Sequence, residues 1–309
     1  MKKTYLLLLI LSISFSFGQN HRKEFDEMVT SEMHSASKLL NLVVNTNTLN
    51  YDITYHKLEF TVNPAVYFIS GKVTTTFIAL ANMNTVTFDL SNPIVVSSVK
   101  KNNIDLTFVQ NGNNELVITL PSMLSIGSSE TVEIIYSGQP PVSGFSAFAS
   151  QTHNGTPVLW TLSEPFGARD WWPCKQDLND KINSIDVYIT APSQYVAVSN
   201  GIEPEAPIVN GTNKTTHFHH SYPIPAYLIC MAVTNYTVHT QSAGSGANSY
   251  PIVNYIYPEN FTAVVQEQLN QTPLILDYFS TLFELYPFSN EKYGHAQFGW
   301  GGGMEHTTV

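Results

Sequence analysis

Tyr51-Asp52-Ile53-Thr54-Tyr55-His56-Lys57-Leu58-Glu59-Phe60 alternates apolar and polar residues. A period of two is the pattern of a strand with one buried face. The same period recurs in Val73-Thr74-Thr75-Thr76-Phe77-Ile78, Thr85-Val86-Thr87-Phe88 and Leu116-Val117-Ile118-Thr119-Leu120. Asn102-Asn103 and Asn111-Gly112-Asn113-Asn114 separate such runs, and these residue types suit hairpin turns. Pro140-Pro141 and Gly144 open a longer loop. Further strands are expected at residues 131–136, 158–162, 185–190, 195–199, 214–220 and 227–238. Short strands punctuated by Gly, Pro and Asn indicate antiparallel sheets packed as a sandwich, here over residues 49–240.

Beyond this region the period changes. Gln241-Ser242-Ala243-Gly244-Ser245-Gly246-Ala247-Asn248-Ser249 is small and polar and reads as a surface hairpin loop, with a strand at 251–257 after it. Pro258-Glu259-Asn260 then opens a run to Leu285 in which Val264, Val265, Leu269, Leu274, Ile275, Tyr278, Phe279, Leu282 and Phe283 take helical spacing. Pro273 is expected to kink this helix or split it in two. Residues 292–298 form the next strand and lead into Gly301-Gly302-Gly303-Met304-Glu305-His306. A second domain, α+β in character, is therefore expected over 241–309, with the chain ending inside it.

Composition excludes several functions. Of the 309 residues, 43% are hydrophobic and only 12% charged, while Tyr (16) and Phe (17) are plentiful. Strand-forming material thus stands where charge is usual. The formal charge is −10 and nothing basic clusters, which argues against nucleic acid or anionic membranes as partners. Met1-Lys2-Lys3, the apolar run from Tyr5 to Ile13, and Ser16 with Gly18 form the three parts of a secretory signal. Residues 1–18 are expected to be cleaved, leaving a leader at 19–48 with weak helical character. The product would be exported, either secreted or held in the periplasm or at the cell surface. The only cysteines are Cys174 and Cys230, and Cys230 lies in an apolar run where a buried free thiol is usual.

Three stretches carry candidate chemistry. The glycine run before Glu305 reads either as a turn or as backbone that a ligand approaches closely, with one carboxylate at its end. Ser163-Glu164-Pro165-Phe166-Gly167-Ala168-Arg169-Asp170-Trp171-Trp172-Pro173-Cys174 is a loop whose two tryptophans must be packed. It is either an anchored loop held by an Arg–Glu pair or a platform that presents Glu164 at a domain junction. His217 and His219 share a strand face at ligand spacing, but no carboxylate or Cys pattern adjoins them in sequence, so solvent-facing histidines are expected. No H-E-x-x-H, G-x-S-x-G or phosphate-loop motif occurs. No catalytic residue and no metal ligand is assigned within this chain.

Four patches taken together resemble the aminopeptidase N family of zinc metallopeptidases. They are Tyr51-Asp52-Ile53-Thr54-Tyr55-His56-Lys57-Leu58 with Ile69-Ser70-Gly71-Lys72-Val73, then Glu164 through Arg169 to Pro173-Cys174, then Ser221-Tyr222-Pro223-Ile224-Pro225-Ala226-Tyr227-Leu228, and last Gly302-Gly303-Met304-Glu305-His306. They occur in the family's order over residues 50–309. The resemblance implies a saddle-shaped β-sandwich domain followed by the incomplete start of a thermolysin-like catalytic domain. It implies that Glu305 and Glu164 bind the free α-amine of a peptide substrate, and that Gly302, Gly303 and Met304 line the extended substrate. It also implies a zinc cofactor whose ligands would follow Val309, so the isolated chain is expected to be inactive. His306 departs from the family's G-x-M-E-N pattern and would add pH sensitivity. The competing expectation is a secreted, non-catalytic module that holds peptide N-termini.

Overall fold

The computed structural model describes residues 44–142 and 147–309, together with scattered helical positions between 23 and 33. The expected signal peptide at 1–18, most of the leader and Gly144 lie outside the described residues. The chain is mainly β, as its alternating pattern dictates.

Among the described residues, eighteen strands follow one another: β1 (Tyr51–Asn63), β2 (Val66–Ala79), β3 (Met83–Asp89), β4 (Ile94–Lys101), β5 (Ile104–Asp105), β6 (Phe108–Asn111), β7 (Glu115–Leu124), β8 (Ser129–Gly138), β9 (Phe148–His153), β10 (Thr156–Thr161), β11 (Ser184–Pro192), β12 (Val196–Val198), β13 (Ile208–Asn210), β14 (Asn213–His220), β15 (Ala232–Thr234), β16 (Thr237–Ala243), β17 (Tyr250–Ile256) and β18 (Tyr293–Ala296). Between β17 and β18 lie α1 (Ala263–Leu269) and α2 (Gln271–Leu282). The strands make an eight-stranded sheet in the order β13-β14-β11-β1-β2-β8-β4-β5, a four-stranded sheet β12-β15-β10-β9, and two three-stranded sheets, β3-β7-β6 and β16-β17-β18. The first sheet is antiparallel except where β1 pairs in parallel with β11.

The opening strand shows how sequence becomes packing. Tyr51 and Ile53 are buried, and so are His56, Leu58 and Phe60, so the inward parity changes partway along β1. The register against β2 shifts between Ile53 and Tyr55, the mark of a β-bulge. One extra residue flips every later side chain to the other face. Strict alternation from Tyr51 would have buried Lys57 and Glu59. The bulge buries Leu58 and Phe60 instead, at about 2 kcal/mol of stabilisation for each such side chain. Asn102 (φ +49°) and Asn103 (φ +65°) turn β4 into β5, and Asn114 (φ +60°) helps turn β6 into β7, as the sequence predicts.

One continuous apolar core is shared by the eight-stranded sheet, the four-stranded sheet and β3-β7-β6. A separate small core, Ala243, Tyr250 and Ile252 packed with Leu276, Tyr286 and Tyr293, lies on the β16-β17-β18 sheet. That sheet begins at Thr237, so the boundary expected at residue 241 falls inside β16. The hairpin loop narrows to the segment containing the 3₁₀ turn Gly246–Asn248.

Two expectations are corrected. The strand expected over 227–238 is instead a 3₁₀ turn, Ala226–Leu228, followed by β15 and β16. Pro225 before Ala226 fixes an extended approach to that turn. The long helix does divide, but at Asn270 rather than at Pro273. Pro273 sits in the first turn of α2, where a missing N–H costs nothing. Neither helix buries a residue: Val264, Leu274, Ile275, Tyr278, Phe279 and Leu282 are all exposed.

Candidate functional site

The loop after β10 is built on its tryptophans. Trp171 and Trp172 are fully buried. Trp171 packs its ring 5.1 Å from Phe60, and its Nε1 donates to Ser163 Oγ at 2.9 Å. Trp172 meets His56 edge-on at 5.2 Å. The Tyr136 hydroxyl donates to the Trp171 carbonyl at 2.9 Å. Asp89 and Cys174 exchange backbone hydrogen bonds, which pins the far end of the loop to β3. Gly167 packs so tightly that an added Cβ would lie 2.7 Å from Ala147 Cβ. Arg169 directs its charge at Asp89 and Asp170. Glu164 stands at the start of this anchored loop, half-buried, with a cis peptide bond to Pro165.

The second carboxylate arrives from the other end of the chain. Phe298, just past β18, packs its ring 5.0 Å from Trp160. Gly299–Met304 belong to a separate compact unit, in which Gly301 and Gly303 are exposed and Gly302 and Met304 half-buried. A Cβ added to Gly303 would meet nothing within 4 Å. Glu305–Val309 return to the main unit. Glu305 is exposed and His306 is buried. The His306 carbonyl accepts from Val309 N at 2.8 Å, which closes a tight turn with Thr308 at φ +70°.

The charges of Glu164 and Glu305 are both felt at Tyr227. Tyr227, half-buried on the turn Ala226–Leu228, has its hydroxyl pKa raised by burial and then by the negative charges of Glu164 and Glu305. The two predicted carboxylates therefore share a neighbourhood whose third member is a phenol. Sequence reasoning missed Tyr227 as a site residue, although it lies within the quoted segment 221–228. Two carboxylates and a hydroxyl supply hydrogen-bond acceptors, and such acceptors suit an ammonium ligand.

Burial drives His306 down to about 4, so the departure from the signature is a neutral imidazole at physiological pH. Its Nε2 is buried without a hydrogen-bond partner. The expected pH sensitivity is thereby moved into the acid range.

The histidine strand also differs from expectation. Asp186 of β11 lies beside β14, and its Oδ1 contacts His217 Nε2 at 2.7 Å and His219 Nδ1 at 2.8 Å. Glu205 reaches His217 Nδ1 at 3.0 Å. These carboxylates come from other segments, so adjacency in sequence could not show them. Among the described residues, no group of three or more His, Cys, Asp or Glu is arranged to hold a metal ion.

Residues 22–228 match the model of the Peptidase M1 N-terminal domain. That match spans more than half of the chain, and the chain belongs to this family of aminopeptidase N-like enzymes. Mouse (Mus musculus) glutamyl aminopeptidase is 32% identical over 128 residues, covering 41% of this chain and 13% of that protein. The human (Homo sapiens) glutamyl aminopeptidase is 30% identical over 136 residues, covering 43% of this chain and 14% of that protein. The crystal structure of an M1 zinc metallopeptidase from Deinococcus radiodurans superposes with a TM-score of 0.69 at 26% identity, covering 80% of this chain and 56% of that one. A mutant of that enzyme bound to a Tyr-Ser-Ala substrate superposes equally well at 25% identity. The chain thus spans little over half of these solved structures and about an eighth of the glutamyl aminopeptidases.

Proposed function

We propose that this chain is the N-terminal part of an exported zinc aminopeptidase, and that Glu164 and Glu305 bind the α-ammonium of its peptide substrate. The observation that carries this reading is that the negative charges of Glu164 and Glu305, after burial, both raise the Tyr227 hydroxyl pKa, so the two carboxylates lie within electrostatic range of one phenol. An ammonium between two carboxylates gains charge-assisted hydrogen bonds in a partly desolvated setting. An internal peptide segment brings no such charge and forgoes those bonds, so it is rejected. Gly302, Gly303 and Met304 would lie along the substrate backbone, where the two glycines, lacking Cβ atoms, permit close approach. Zinc would supply the hydrolytic chemistry in the complete enzyme, from ligands outside this chain. The residues described here select and orient the N-terminus. Release by signal cleavage at residue 18 would place the enzyme outside the cytoplasm.

The test compares two proteins on an aminoacyl-anilide with zinc added. The 309-residue chain is expected to show no turnover. The full-length gene product is expected to turn over and to lose activity with a chelator. Chelator-sensitive turnover by the 309-residue chain would refute the division of labour.

A further inference from the structure

We propose that Asn200 is a positioning residue for Glu305, fixing the substrate-amine carboxylate relative to the Tyr227 turn. The inference rests on the reading of Glu305 as an amine ligand. Asn200 follows β12 and is fully buried. Its carboxamide uses both ends. Nδ2 donates to the Leu228 carbonyl at 3.0 Å and to the Thr307 carbonyl at 2.8 Å. Oδ1 accepts from Cys230 N at 2.9 Å. Because a backbone N–H must meet an oxygen and a carbonyl must meet a donor, these three partners also define which way the amide points.

The consequence is geometric. Leu228 ends the 3₁₀ turn that carries Tyr227, and Thr307 is two residues past Glu305. A single NH₂ group therefore bridges the two segments that present the tyrosine and the carboxylate. Its neighbours reinforce the bridge. Gly201 N donates to Thr308 Oγ1 at 2.7 Å, and Lys292 Nζ donates to the Ser199 carbonyl at 2.9 Å. Gly201 is held at φ +80°, and an added Cβ would lie 1.9 Å from the His219 carbonyl oxygen, so only glycine fits beside Asn200. Three consecutive residues, Ser199 to Gly201, thus form a cradle for the segment around β18 and the turn after Glu305. A cradle of this kind sets distance rather than chemistry, and distance errors at a binding carboxylate are costly.

The test is a double-mutant cycle in the zinc-loaded, full-length gene product, read as kcat/KM on an aminoacyl-anilide. Asn200→Ala is expected to lower kcat/KM about tenfold, but less than twofold further once Glu305→Ala is present, because it acts through that carboxylate. Circular dichroism and melting check folding. Should Asn200→Ala fail to fold, Thr308→Val removes only the acceptor of Gly201 N–H and is expected to show the same non-additivity at about threefold. A silent Asn200→Ala beside a costly Glu305→Ala would overturn the proposal. So would an equal loss in both backgrounds, which marks a general structural role. If Glu305→Ala itself is silent, the amine-binding reading falls and takes this inference with it.

Discussion

His220 Nδ1 and Glu291 Oε2 meet at 2.5 Å with both residues buried, joining β14 to the segment that enters β18. Ser221 completes the pair by donating its backbone N–H and its hydroxyl to Glu291 Oε1. Burial alone would raise the Glu291 pKa, but the hydrogen bonds from His220 and Ser221 outweigh it and the net shift is downward. A depressed folded pKa gives stability that is complete above the ordinary glutamate value of 4.5 and lost as pH falls through the folded value. Glu291→Gln is expected to cost about 3 kcal/mol at pH 7, measured by denaturant unfolding. An unchanged midpoint would show that the pair contributes nothing.

His306 has the same sign with a different cause, burial of the imidazole. Its folded pKa lies near 4 against an ordinary 6.5, so the unfolded chain takes up this proton first. Stability is unaffected above pH 6.5 and declines between 6.5 and about 4. His56, lowered by burial to about 3, adds to the same decline. His306→Asn, which restores the family's residue, is expected to flatten the stability profile in this window by about 3 kcal/mol at its acid end. A profile as steep as that of the wild type would contradict the burial of a neutral imidazole.

The apolar face of α1 and α2 is open in this chain: Val264 is 68% and Leu274 63% exposed, and Phe283 just after α2 is 78% exposed. Leu274→Gln combined with Phe283→Ser is expected to leave the stability of the 309-residue chain within about 0.5 kcal/mol while reducing its binding of a hydrophobic dye. The same pair in the full-length gene product is expected to cost at least about 2 kcal/mol, because a longer chain would cover this face. A large loss in the 309-residue chain would mean that these side chains already pack within it.

Cys174 and Cys230 are free and buried, and burial pushes both thiols up, Cys230 to about 12. The native chain is expected to resist a thiol-reactive dye over minutes and to label both cysteines once unfolded. Prompt native labelling, or no labelling after unfolding without a reductant, would contradict this.

Much of the fold was legible in local pattern. Hairpins at Asn102-Asn103 and at Asn111 to Asn114 could be read because asparagine accepts left-handed backbone. What pattern could not show was produced by distant partners. The β1 bulge is set by register against β2, and the helix divides at Asn270 rather than at the nearby proline. Glu164 and Glu305 were singled out only through their surrounding motifs. Asn200 bonds Thr307, 107 residues further on, and Tyr227 feels the charges of carboxylates far from it in sequence; a reading along the chain carries no trace of either. Asp186 between His217 and His219 was hidden for the same reason.

The central claim is that Glu305 recognises a free N-terminus. Its most direct test measures the full-length gene product, wild type and Glu305→Ala, on one peptide in free-amine and N-acetylated forms. The wild type is expected to favour the free amine by a large factor. Glu305→Ala is expected to raise KM and lower kcat for the free amine, at a loss of about 2–4 kcal/mol in transition-state stabilisation, and to narrow the gap between the two peptides. Unchanged kinetics in Glu305→Ala, with the preference for the free amine intact, would contradict the assignment.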